Sequence, residues 1–370
     1  MEKKFGLVAV RPNLRVECTE WSDGSTDTPP IIFLHGVGGA MEMYVHYTFP
    51  VLEAAGAQRI IALNWPGYGN SGRLSRHTVI AYKHVLLDFL RVQNIPQCHL
   101  VGISLGASVA LAFAAEYPGR VLTVTAQGAV YNGKQQFSSA IMRTVVKLLG
   151  IGRHLPKGLE GVIMKIPAHP WVVGFLGRVF NPTDLKLLDE EGSYRRIARR
   201  VVRNASVRAY VENVQDLMSF QLDGLAQISM PTLLTDGANT NWKAVRSIEK
   251  ISLLVPEGIR HTVLIPRAGH LAPYTNPREF VLILLDFITG ETRPFRPFVT
   301  ERVDFNWSIK KKVPPIALRE ERADAGCHHP LFVFPIRNKL RDVIKIKRHM
   351  VAKEAFLRAK HVFEHPHANS

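Results

Sequence analysis

The chain has 370 residues, 46% of them hydrophobic and 21% charged, which is long enough for a large buried core and too apolar for a disordered protein. The net charge is +16 and the pI near 9.9, an imbalance that favours anionic partners. Three cysteines, Cys18, Cys98 and Cys327, are too few and too far apart for a disulfide framework or a zinc spacing.

The first ten residues read almost at once as a strand, leaving no room for the regions of a signal peptide. The longest apolar stretches, such as 280–288, are broken by charge and fall far short of the roughly 20 residues a membrane span needs. These features predict an intracellular soluble protein, and the high pI is also compatible with a mitochondrial matrix.

Ile31-Ile32-Phe33-Leu34 is a short β-branched and aromatic run that ends at His35-Gly36-Val37-Gly38-Gly39, the pattern of a buried strand entering a loop. The pattern recurs at 58–63 before Pro66-Gly67-Tyr68-Gly69, and at His99-Leu100-Val101 before Gly102-Ile103-Ser104-Leu105-Gly106. Helix-like stretches at 43–55 and 78–93 lie between these runs. Strand alternating with helix predicts a mostly parallel sheet covered on both faces, an α/β fold.

A helix over 108–116 and a strand over 121–125 follow, and then the rhythm breaks. From 131 to 222 the sequence carries helical segments and basic clusters without strand alternation, which predicts a helical insertion. Strands resume at 231–235 and 261–265, and a helix over 277–289 closes the core at Gly290. The predicted organisation is a core of residues 1–130 and 223–290, a cap of residues 131–222 and an extension of residues 291–370. No internal repeat of fixed period is present.

The extension holds 17 Lys or Arg against 9 Asp or Glu, half of the chain's excess charge in under a quarter of its length. Residues 338–363 place Leu340, Val343, Ile344, Met350, Val351, Phe356 and Leu357 at near-helical spacing among lysines and arginines. A basic amphipathic helix of this kind suits a protein, RNA or acidic membrane partner, and equally suits packing on its own core.

Gly-x-Ser-x-Gly between a strand and a helix is the setting of a nucleophile on a strained turn, where close backbone contacts exclude larger side chains at the glycines. With His35-Gly36, Pro66-Gly67-Tyr68-Gly69-Asn70-Ser71 and Gly269-His270-Leu271 in this order and spacing, residues of about 5–290 resemble the α/β-hydrolase superfamily, its serine esterase and lipase-like members in particular. The resemblance implies a mostly parallel sheet with a helical cap, Ser104 as nucleophile and His270 as its base. It also implies an oxyanion hole from the amides of Leu105 and Val37, with Gly38 second. His35 reads as a structural hydrogen-bonding residue.

The third member departs from the pattern. The family's acid position, three residues past Gly237, holds Thr240, and the loop 127–132 contains no acid either. Asp236 lies four residues before Thr240 at a strand end, within reach of the imidazole if the loop differs. Asn239 or Thr240 would otherwise have to hold the ring by a neutral hydrogen bond. A carboxylate within about 3.2 Å of the imidazole nitrogen facing away from Ser104 decides between these arrangements.

Two functions follow. One is a serine hydrolase that cleaves a small hydrophobic ester or thioester through an acyl-enzyme on Ser104, in a greasy pocket furnished by the insertion's apolar runs. The other is a weak or inactive hydrolase-fold subunit that binds partners in a larger assembly through its basic extension. No metal or nucleotide motif is present: the histidines of the extension lack ligand spacing, and Gly36-Val37-Gly38-Gly39 lacks the ending of a phosphate loop. No cofactor is expected.

Overall fold

A computed structural model of the chain describes residues 1–25, 28–133, 184, 205–240 and 242–290. Eight strands form one sheet: β1 (Glu2–Arg11), β2 (Leu14–Ser22), β3 (Ile31–Leu34), β4 (Arg59–Leu63), β5 (Cys98–Ile103), β6 (Val121–Gln127), β7 (Thr232–Gly237) and β8 (Arg260–Ile265). Their order is β1-β2-β4-β3-β5-β6-β7-β8. The first hairpin is antiparallel, β2 runs antiparallel to β4, and every later pairing is parallel. The α/β sheet expected from strand and helix alternation is therefore present.

The apolar runs are continuous because both faces of the central sheet are covered. Successive side chains of a strand point to opposite faces. Ile32 and Leu34 accordingly pack in the core that contains α3 (Val79–Val92) and α4 (Leu105–Glu116). Ile31 and Phe33 pack on the other side with Phe49 and Leu52 of α2 (Phe49–Ala54) and with Phe280, Val281 and Leu284 of α8 (Pro277–Thr289). Phe33 is fully buried; its replacement by Ala would cost about 3–5 kcal/mol.

Local chemistry sets the helix ends. The Thr78 hydroxyl caps α3 by accepting from the Ala81 amide (3.1 Å), and Gly290 ends α8 in the left-handed conformation (φ 67°). The expected helix over 43–55 begins earlier, as α1 (Met41–Met43), and passes through a π-helical turn (Tyr44–Thr48) into α2. Helix α4 starts at Leu105 rather than 108, because the Ser104 turn feeds it directly. Strands β6 and β7 each run two residues past their expected ends, bringing Gln127 and Asp236 into the sheet.

Of the expected insertion, residues 131–133, 184 and 205–222 are described. They include α5 (Val207–Ser219), whose Ser206 hydroxyl caps the Ala209 amide (3.4 Å). Polar contacts hold α5 on the core. Asn213 Oδ1 accepts from the hydroxyls of Tyr68 (2.8 Å) and Tyr82 (3.1 Å), and Asp216 accepts from the Val79 amide (2.8 Å). Glu212 accepts from the His77 amide (2.9 Å). Past β7 come α6 (Trp242–Leu254) and the short α7 (Ala272–Thr275). The amphipathic segment 338–363, like the whole extension 291–370, lies outside the described residues. Among the described residues, no helix is long and apolar enough to cross a membrane.

Candidate active site

The parallel register brings the carboxyl ends of β5 to β8 together: Ile103 lies opposite Gln127, Gln127 opposite Thr235, and Gly237 opposite Ile265. Ser104, Asp236 and His270 all come from this edge, where ligands of open α/β sheets bind.

Ser104 has φ 53° and ψ −112°, a conformation that costs a non-glycine residue roughly 1–3 kcal/mol and persists only because its surroundings fix it. Its amide donates to the Gln127 carbonyl (2.8 Å), and its carbonyl accepts from the Ser108 amide (3.0 Å) in the first turn of α4. The flanking glycines are required by space. A Cβ on Gly106 would lie 2.1 Å from the Leu34 carbonyl oxygen, and one on Gly102 would lie 2.3 Å from that of Gly106.

Beneath the neighbouring loop, His35 is fully buried. Its Nε2 accepts from the Trp65 amide (3.1 Å), which puts the proton on Nδ1, where it is donated to the Gly36 carbonyl (2.8 Å). The Trp65 indole N–H in turn donates to the His35 carbonyl (3.0 Å). Burial pulls the His35 pKa down to about 4 against a small opposing contribution from the Gly36 carbonyl, so the ring stays neutral. It is a strut of the loop, as its place in the sequence suggests.

The buried Tyr68 hydroxyl donates to Asn213 Oδ1 (2.8 Å) beside this loop. The Tyr210 ring of α5 lies against Gly38, so close that a Cβ there would come within 3.1 Å of it.

His270 lies after β8 and rests on Gly128. A Cβ on Gly128 would lie 2.3 Å from the imidazole Cε1 and 2.6 Å from Nδ1, and the glycine itself has φ 60°. Asp236 is fully buried. Its Oδ1 accepts from the Gln127 amide Nε2 (3.0 Å) and from the Gly237 backbone (2.9 Å), while Oδ2 points to Nδ1 of His270 at 3.6 Å. That is an ion-pair distance, about 0.4 Å beyond the hydrogen-bond range. Oδ2 has no hydrogen-bond partner among the described residues.

Burial lowers the His270 pKa, but the charge and contact of Asp236, helped by the charge of Asp184, outweigh it and leave the pKa raised. The hydroxyl of Thr240 has no partner among the described residues, so Thr240 does not hold the ring. Its amide serves a turn, donating to the Gly237 carbonyl (3.1 Å).

Two participants escape a reading of the sequence. Gln127 is fully buried and donates both to Asp236 Oδ1 and, at 3.2 Å, to the His270 carbonyl. As an amide in a loop inspected for acids, it gives no signal. Asp184, from the expected insertion, accepts from the amides of Gly269 and Leu271, and nothing in the sequence pairs it with a residue some 86 positions away. Among the described residues, no group of three His, Cys, Asp or Glu side chains is placed to hold a metal ion.

The model of the alpha/beta hydrolase family matches residues 31–282. A 2-hydroxy-6-oxononadienedioate/2-hydroxy-6-oxononatrienedioate hydrolase of Paraburkholderia phymatum is 25% identical over 276 residues, covering 72% of this chain and 90% of that protein. A dihydrolipoyllysine-residue acetyltransferase component of the acetoin cleaving system from Cupriavidus necator is 34% identical over 95 residues, and the match spans only 25% of that protein's length and of this chain. Among solved structures, a hydrolase from Pseudomonas aeruginosa superposes with a TM-score of 0.60 at 20% identity, covering 77% of this chain and 98% of that one. An enol-lactonase from Burkholderia xenovorans gives 0.58 at 14% identity, covering 77% and 100%. At such identities these two structures share the fold.

Proposed function

The chain belongs to the alpha/beta hydrolase family, and on that premise we propose that it is a serine hydrolase of a small hydrophobic ester or thioester, with Ser104, His270 and Asp236 as its triad. The observation that carries the reading is Asp236: a buried carboxylate fixed through Oδ1 by two donors, with Oδ2 aimed at the His270 Nδ1. The insertion, residues 131–222, is read as a cap domain.

In the reaction, a proton on Nδ1 facing Asp236 leaves Nε2 as the acceptor for the Ser104 hydroxyl proton. The Ser104 Oγ attacks the acyl carbon as Nε2 takes that proton. Negative charge then gathers on the former carbonyl oxygen, where the Leu105 and Val37 amides receive it. Val37 is taken first and Gly38, which has the Tyr210 ring against it, second. The intermediate collapses, the leaving alkoxide or thiolate takes the proton from His270, and the acyl group stays on Ser104. Water then attacks with His270 again as base, releasing the acid and restoring Ser104. Asp236 stabilises the imidazolium in both halves.

The competing idea of a binding subunit rests on Thr240 in place of an acid and on the basic extension. Asp236 Oδ2, 3.6 Å from the His270 Nδ1, weighs against the first reason and leaves the second in place. A fluorophosphonate probe is expected to label the wild-type protein and not Ser104→Ala; well-folded wild type that stays unlabelled refutes the hydrolase and favours the subunit.

A further inference from the structure

Asp184 reaches the site from the insertion and is 1% exposed. Its Oδ1 accepts from the Gly269 amide at 3.1 Å, and its Oδ2 accepts from the Leu271 amide at 3.2 Å. The Thr275 hydroxyl lies 3.5 Å from Oδ1. The two amides bracket His270, so one carboxylate grips the backbone on both sides of the base. The fit is tight: a Cβ on Gly269 would fall 2.6 to 2.7 Å from the Asp184 carboxylate atoms, so no larger residue is accommodated there without displacing the grip.

This arrangement is more than a loop tether. A buried carboxylate is costly and is retained where it is well paired; here backbone amides pair it. Among the described residues, the charges facing His270 are Asp236 of β7 and Asp184, and those facing Asp184 are His270 and Asp236. The Gln127 amide supports the same backbone from the core side by donating to the His270 carbonyl (3.2 Å). The base is thus held at its ring by Asp236 and at its backbone by Gln127 and Asp184, the last from outside the sheet.

We propose that Asp184 is a positioning residue of the hydrolase: it fixes the His270 backbone through two amides and adds a second negative charge beside the imidazole. The inference rests on the triad reading.

The test is the rate of fluorophosphonate labelling of the full-length protein as a function of pH, which requires no knowledge of the substrate, alongside thermal melting. For Asp184→Asn the plateau rate is expected to fall about tenfold or more as the grip loosens, and the midpoint of the rise with pH is expected to move to lower pH as a negative charge is lost. For Asp184→Glu the charge remains while the longer arm mismatches the two amides, so the plateau falls and the midpoint stays near that of the wild type. A merely structural role would lower the melting temperature and leave plateau and midpoint in place; folded Asp184→Asn behaving so overturns the proposal. Should Asp184→Asn not fold, a wild-type plateau in Asp184→Glu overturns it. An unlabelled wild type overturns the triad reading and this inference with it, whereas labelled wild type with indifferent variants overturns this inference alone.

Discussion

Replacing Gly128 with Ala tests the placement of the base without touching any group that exchanges a proton. The new methyl would sit 2.3 Å from Cε1 and 2.6 Å from Nδ1 of His270. Comfortable carbon contacts begin at about 3.5 Å, so the ring must retreat by roughly 1 Å. A displacement of that size at a reacting group can cost about 100-fold in rate, and Nδ1 already stands 3.6 Å from Asp236. The left-handed backbone at 128 adds about 1–2 kcal/mol of strain for any side chain. That corresponds to a melting temperature lower by about 2–8 °C for a core of this size. Gly128→Ala is therefore expected to fold, to melt slightly lower, and to lose about two orders of magnitude in fluorophosphonate labelling and in hydrolysis of a short p-nitrophenyl ester. Labelling at the wild-type rate would mean that His270 does not work from the position it occupies against Gly128, and would refute the reasoning.

Asp236→Asn removes the charge that raises the His270 pKa, so hydrolysis should drop by about 10²- to 10⁴-fold and the pH–rate midpoint should move down. Buried neutral His35 makes the fold sensitive to acid: its pKa falls from 6.5 to about 4 in the folded state. Between those values the unfolded chain binds more protons, so stability rises with pH across the window and is lower by about 3 kcal/mol at its acid end. Urea melts at pH 7, 5 and 4 should show this slope, and His35→Gln should flatten it. Truncation after Gly290 is expected to leave the melting temperature and Ser104 labelling unchanged while weakening retention on heparin, since half of the excess charge lies in 291–370; a large fall in melting temperature would instead make the extension part of the core.

Ser104 and His270 were legible because each sits in a short segment whose backbone demands glycine, and that demand is written in the sequence. Gly102 and Gly106 cannot carry a Cβ against Gly106 and Leu34 backbone oxygens; Gly269 cannot carry one against Asp184. Asp236 was legible only as a possibility, since which residue of a strand end meets the next loop depends on register with β8, a pairing between residues some 28 positions apart. Gln127 was hidden because its strand continues past its β-branched stretch into a polar residue. Asp184 was hidden because long-range packing, not spacing, brings it to the histidine.

With Asp236 as the proposed acid in place of a residue at 240, the way the acid is held also changes. On a loop, a carboxylate owes its aim to flexible backbone; in β7, Asp236 is fixed by ladder pairing, by the Gly237 amide and by Gln127. Those donors serve Oδ1 and leave Oδ2 buried with only the imidazole ahead of it. An acceptor buried without a full hydrogen bond costs about 1–3 kcal/mol. In the proposed mechanism His270 gains a proton as the Ser104 oxygen attacks, so its attraction to Oδ2, 3.6 Å away, is stronger in the tetrahedral state than in the resting protein. An interaction that strengthens only there accelerates the chemical step, and a rigid acid held slightly too far from its base can supply that difference.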